Sequence, residues 1–207
     1  MKERSQSAEA VAEIVASMGD LVAEAAAVLL KTSSAFRRSR PEEMRDLGPA
    51  SSRAVMTGSG LINSVRELSG AADHVKKSLI GAIGNLERIC ACSEEMTVTV
   101  REKIERDILF SIQAFGECNE LFAAALGITE ALEKLLRREV GRADVEGLCR
   151  GLERLIYESG LGHEERLVRG VCAVKASNLF MGMLDLFRAI AFHSSQAASG
   201  VEEESSG

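Results

Sequence analysis

Apolar residues recur at three- and four-residue steps through most of the chain, and the first stretch shows it most clearly. Val11, Ile14, Val15, Met18, Leu21, Val22, Ala25, Val28 and Leu29 make one broad stripe, which predicts a helix from about Ala8 to Ala35. The pattern stops at Arg37 to Arg40. Pro41 suits a first helical position and Glu42 and Glu43 its opening turn, so a second helix is expected from about Pro41 to Leu68. Gly48-Pro49 falls inside it, where Pro49 removes a backbone donor and predicts a kink or a break. Gly58 and Gly60 weaken the same helix by about 1 kcal/mol each relative to Ala.

A third helix, about Ala72 to Val100, has a cleaner rhythm through Val75, Leu79, Ala82, Leu86, Ile89, Ser93, Met96 and Val100. A fourth is expected over Arg101 to Arg138, with Ile108, Ile112, Phe115, Cys118, Phe122, Ala125, Leu132 and Leu136 inward. No strong breaker separates the third helix from the fourth, so rigid coupling of the two halves is expected. Gly141 marks the next turn, and a fifth helix starts near Ala143, where Gly160 and Gly162 should bend it or end it. A sixth runs from about Val174 to Ala198, and residues Val201 to Gly207 read as an acidic disordered tail.

The apolar pattern also repeats at an offset of 101 residues. It pairs Ile80 with Met181, Ala82 with Met183, Ile83 with Leu184, Leu86 with Phe187 and Ile89 with Ile190. Near the start of each half it pairs Val11 with Ile112, Ile14 with Phe115 and Leu21 with Phe122. About 100 residues is too long for a solenoid period and suits two related bundles in tandem. The expected architecture is all-α: six helices as two antiparallel three-helix bundles. Residues 1–200 then form a single helical domain made of two repeats, about 8–100 and 101–199.

Composition fits packed helices: 46% of the 207 residues are apolar, only 4% are aromatic, and Trp is absent. A net charge of −6 with scattered cations argues against a nucleic-acid footprint, which needs a concentrated basic face. Five cysteines, Cys90, Cys92, Cys118, Cys149 and Cys172, have no disulfide-framework spacing. The polar start from Met1 to Gln6 does not read as a secretion signal, and no apolar run reaches the roughly 18–20 residues of a membrane span. A reduced, soluble, cytoplasmic protein is the expectation.

Candidate chemistry is thin. Metal sites in helical bundles need carboxylates or histidines three or four residues apart so that both point inward. His74, His163 and His193 lack such partners, and Cys90 and Cys92 point roughly 200° apart on a helix. No Gly-x-Ser-x-Gly elbow or phosphate loop occurs, and Gly58-Ser59-Gly60 runs on into Leu61-Ile62 rather than a Lys-Ser/Thr pair.

Four motifs in order give a resemblance. They are Met18-Gly19-Asp20-Leu21-Val22, Leu86-Glu87-Arg88-Ile89, Phe110-Ser111-Ile112-Gln113-Ala114, and a His-x-x-Arg-Leu-x-x-Gly stretch from His163 to Gly170 followed by Ser177. In these and their spacing the chain resembles the PhoU-like family of phosphate-uptake regulators. That family includes the soluble C-terminal domain of bacterial sodium/phosphate cotransporters. The resemblance covers nearly the whole chain and implies the same tandem three-helix architecture.

The departures bear on metal. Family members that bind multinuclear clusters use carboxylate pairs four residues apart, but here Ala91 follows Glu87, and Arg188 and Phe192 stand at the sixth-helix positions. The second helix offers no carboxylate between Asp46 and Glu67. In the fifth, Glu153 keeps one position with Cys149 as its neighbour. Glu87 and Glu153 are weak residual positions, and one carboxylate per half does not hold a hard-cation cluster. The resemblance thus implies a non-enzymatic regulator or adaptor of phosphate transport or phosphate signalling. It would act by contact with a transporter or sensor-kinase component and reach the membrane only through such a partner, and a homodimer remains open. The alternative is a generic helical scaffold unrelated to phosphate; a helical enzyme with a carboxylate metal centre fails on ligand count. Met181, Met183 and Phe192 are candidates either for a docking face or for the seam between the halves.

Overall fold

A computed structural model describes residues 2–45, 47, 49–171 and 173–202, with side chains placed from residue 9 to 201. Six α-helices follow one another: α1 (Lys2–Arg38), α2 (Ala50–Glu67), α3 (Asp73–Glu105), α4 (Ile112–Leu136), α5 (Arg142–Val168) and α6 (Val174–Glu202). A short 3-10 turn, Pro41–Met44, lies between α1 and α2. No strand occurs among the described residues.

Helices α1, α2 and α3 pack on one another, and α4, α5 and α6 do the same. The most extensive helix pair is α3 with α6, which joins the two bundles, and α1 against α4 reinforces the junction. α3 and α6 run antiparallel: Asn85 meets His193, while Gly200, seven residues further along α6, lies on Ser78, seven residues back along α3. A Cβ on Gly200 would come within 2.6 Å of the Ser78 carbonyl oxygen, so only glycine permits this approach.

Most positions paired by the 101-residue offset share a fate. Leu21 and Phe122, Ala82 and Met183, Ile83 and Leu184, Leu86 and Phe187, and Ile89 and Ile190 are each exposed by 2% or less. One pair fails outright: Val11 is core, whereas Ile112 is 93% exposed because it is the first residue of α4.

Several expected boundaries move. The expected break at Gly48-Pro49 occurs, with Pro49 as the N-cap of α2; Gly48 lies outside the described residues. Pro49 has no side chain with which to cap, and Glu94 of α3 does the work by accepting from Ser51 N at 2.7 Å. The fourth helix does not begin at Arg101. α3 continues to Glu105, and the chain turns where Asp107 takes a left-handed φ of 49°. α4 then starts after Ser111, whose side chain accepts from Ala114 N at 3.2 Å.

Gly160 and Gly162 neither end nor interrupt α5, which closes at Arg169 before Gly170 at φ 68°. α1 and α6 are both longer than expected. Val201 and Glu202 belong to α6 rather than to a tail, and residues 203–207 lie outside the described residues.

Candidate functional site

Besides the buried hydroxyl pair Thr32 and Thr97, 2.7 Å apart, three groups of polar side chains stand out among the described residues. The first lies in the α1–α2–α3 seam. Glu24 of α1 pairs with Arg53 of α2, and the hydrogen bond to Glu24 raises the already high Arg53 pKa. Glu87 of α3 lies over α2, where a Cβ on Gly58 would fall inside its carboxylate, and partial burial raises the Glu87 pKa. One turn on, Cys90 donates to the Leu21 carbonyl at 3.3 Å. Burial, reinforced by Glu24, pushes its thiol up to about 12, so it stays protonated at neutral pH.

The second group ties the α4–α5–α6 end together. Arg166 donates to both oxygens of Glu117, at 2.8 and 2.7 Å, in a fork that is largely buried on both sides. One turn back on α5, His163 Nε2 and Ser177 Oγ are 2.8 Å apart. The imidazole stacks on Phe180 at 5.1 Å, and the Arg166 guanidinium stands 5.5 Å from the same ring. Burial first and Arg166 second hold the His163 pKa below its ordinary value.

Beside it sits Lys103, buried, with its ammonium 5.3 Å from the Phe36 ring centroid and 5.6 Å from that of Phe110. Six of the seven phenylalanines, Phe36, Phe110, Phe115, Phe122, Phe180 and Phe187, form this connected aromatic cluster. The third group is the pair Asn85 and His193 between the bundles.

A His–Ser pair at hydrogen-bonding distance invites a catalytic reading. Burial argues against it: His163 is 2% exposed and packed under an aromatic ring, and the bond pins the end of α5 to the first turn of α6. A cavity of about 710 Å³ opens elsewhere, between α1 and the end of α2, lined by Glu13, Ile14, Ser17, Leu61, Ser64 and Glu67 among others. None of the three polar groups lines it.

Glu87 and Glu153 are not gathered into a site. Glu153 is exposed on α5, and its neighbour Cys149 is a buried thiol pushed up to about 11. Among the described residues no three of His, Cys, Asp or Glu converge as a metal ion would require. The seam where Glu87 lies already holds a cation, Arg53, and a protonated thiol. That donor set does not fit a multinuclear cluster of hard cations.

Sequence reasoning missed the aromatic cluster and the buried Lys103. Lys103 continues the steps Ser93, Met96, Val100 on α3, so position on the stripe was the available signal. The His163–Arg166 spacing of three residues likewise places both on one face of α5. Of the three α6 candidates, Met183 is fully buried, whereas Met181 and Phe192 are exposed.

No family model matches the chain, and no curated protein does. Among solved structures the fold matches the crystal structure of PhoU from Pseudomonas aeruginosa, with a TM-score of 0.68 over 99% of this chain and 97% of that one, at 13% sequence identity. The chain has a PhoU-like fold. The likeness runs end to end, so all six helices and both bundles take part in it. Among the described residues no helix is long and apolar enough to cross a membrane.

Proposed function

We propose that the protein is a cytoplasmic, non-enzymatic regulator of phosphate transport or phosphate signalling that works by contact with a transporter or sensor-kinase component. The observation that carries this reading is the end-to-end likeness in fold to PhoU. The polar groups support the non-enzymatic part, because Glu117, Arg166, His163 and Ser177 are spent on one another inside the bundle. What remains for function is surface. Met181 and Phe192 are eleven residues apart, which brings them within about 20° of one another around α6, and both stay exposed. They are the contact points we assign to the partner, or to a second copy of the chain.

Co-purification tests this. Tagged protein from cells grown at low and at high phosphate should carry a phosphate-transporter or sensor-kinase component, and Phe192→Asp should weaken the association. Enrichment of neither component at either phosphate level contradicts the reading. A helical scaffold unrelated to phosphate then takes its place.

A further inference from the structure

The cavity between α1 and the end of α2, about 710 Å³, is within the roughly 300–1,000 Å³ range of small-molecule sites. Its floor is apolar, with Ile14 and Leu68 both buried. Its polar side chains are chiefly acceptors. Glu13 on α1 and Glu67 on α2 bring two carboxylates. Ser17 donates its hydroxyl proton to the Glu13 carbonyl at 2.9 Å and Ser64 to the Gly60 carbonyl at 3.2 Å, which leaves both oxygens free to accept. Glu67 is also the last residue of α2, so the negative end of that helix dipole lies at the cavity. The chain itself shows what this end attracts: the Lys76 ammonium donates to the Arg66 carbonyl at 3.3 Å.

The other bundle fills the matching place with a cation of its own. The 101-residue offset carries the end of α2, Glu67, onto the end of α5, Val168, and the start of α3, Asp73, onto the start of α6, Val174. It carries the two walls of the cavity onto the stretches of α4 and α5 that hold Glu117 and Arg166. There a carboxylate of the bundle's first helix accepts two hydrogen bonds from a guanidinium of its second. In the α1–α2–α3 bundle each of the two helices brings a carboxylate instead, and among the described residues no Lys or Arg lines the cavity. The cations nearby are turned elsewhere, Lys76 to the Arg66 carbonyl and Arg66 to Asn63 at 3.5 Å. A metal ion would lack ligands, since no three of His, Cys, Asp or Glu converge among the described residues.

We propose that this cavity binds an aliphatic di- or polyamine. Its ammonium groups meet Glu13 and Glu67 and the hydroxyl oxygens beside them, and its hydrocarbon lies on the apolar floor. The ligand would stand where Arg166 stands in the other bundle. The inference goes beyond the proposed regulatory role and does not rest on it, since a scaffold unrelated to phosphate would bind the amine equally well.

The test is isothermal titration of the purified full chain with putrescine, spermidine and magnesium chloride at roughly 0.15 M salt. We expect saturable binding of one amine per chain. Glu13→Gln with Glu67→Gln should weaken it about tenfold or more, the loss of charge-assisted hydrogen bonds. Ser17→Leu with Ser64→Leu keeps both carboxylates, fills the cavity and should weaken it as well. A chain of net charge −6 attracts any polycation, so Glu153→Gln with Glu158→Gln, which removes the same charge from the surface of α5, serves as the control and should bind as the parent does. All six substituted positions are exposed, and circular dichroism checks that each variant folds. The proposal is overturned if neither amine binds, if the control pair weakens binding as much as the Glu13 and Glu67 pair, or if the filled cavity binds like the parent. Displacement of spermidine by magnesium at equal concentration would also overturn it and would assign the carboxylates to a metal ion.

Discussion

Asn85 and His193 meet across the junction of the two bundles, with Asn85 Oδ1 and His193 Nδ1 2.8 Å apart. The amide nitrogen of Asn85 donates to the Gly81 carbonyl at 2.7 Å, which leaves Oδ1 as the acceptor and makes His193 Nδ1 the donor. The tautomer of His193 is therefore set by Asn85, and the pair joins Gly200 on Ser78 in holding the register of α3 on α6. Burial first, and Arg88 second, hold the His193 pKa below its ordinary value.

A pH dependence follows. A histidine whose folded pKa lies below its unfolded value of about 6.5 binds its proton more weakly when folded. The contribution is complete above that unfolded value and is lost as pH falls toward the folded pKa. Both His193 and His163 are shifted this way, so denaturation midpoints should drop as pH is lowered below about 6.5. His193→Gln should flatten the profile in part. A double-mutant cycle of Asn85→Ala with His193→Ala should show a coupling of about 0.5–1.5 kcal/mol.

The Glu117–Arg166 fork is a buried ion pair, so removing one partner strands the other. Arg166→Met should cost about 3–5 kcal/mol in urea denaturation. Combining it with Glu117→Leu should recover much of that loss, because an apolar pair spares the desolvation of both charges. Equal costs for the single and the double variants would show that the fork does not act as a unit.

Three glycines separate propensity from packing. Gly60→Ala meets open space and should stabilise α2 by about 1 kcal/mol. At Gly58 a Cβ meets only the far end of the Glu87 side chain, which can swing away, so Gly58→Ala should be near neutral. Gly200→Ala drives a methyl group into the Ser78 backbone and should cost about 1–3 kcal/mol by loosening α6 from α3. Thermal unfolding of the three variants checks the order.

The stripes that place α1, α3 and α6 were legible in the chain because their apolar residues face one continuous core, as the burial of Leu86, Phe187, Ile89 and Ile190 shows. The α3–α4 boundary was not legible. It rests on Asp107 in a left-handed conformation and on Ser111 as a cap, with neither glycine nor proline to announce it. Gly160 and Gly162 suggested a bend or an end, and α5 runs on through both without ending. Gly162 sits inside α5 where a side chain would crowd Glu117 and Arg166, a tertiary reason that local propensity cannot express. The polar groups were visible as residues and invisible as partners: Glu117 and Arg166 are 49 positions apart.

Metal content is open to direct measurement. With Arg53 in the seam and Ala91 after Glu87, the purified protein should carry no stoichiometric iron, zinc or manganese by elemental analysis. One metal per chain, lost in Glu87→Ala, would contradict this and would make Glu87 a ligand with further partners beyond its own group.

The central claim is that the protein regulates phosphate handling through its surface. Deletion of its gene, followed by phosphate uptake and expression from a phosphate-regulated promoter at low and high phosphate, tests it most directly. The account predicts that uptake or expression loses its normal dependence on phosphate. Wild-type protein and the Glu87→Gln variant should both restore it, whereas the Met181→Asp, Phe192→Asp variant should not. Uptake and expression unchanged by the deletion at both phosphate levels would contradict the claim.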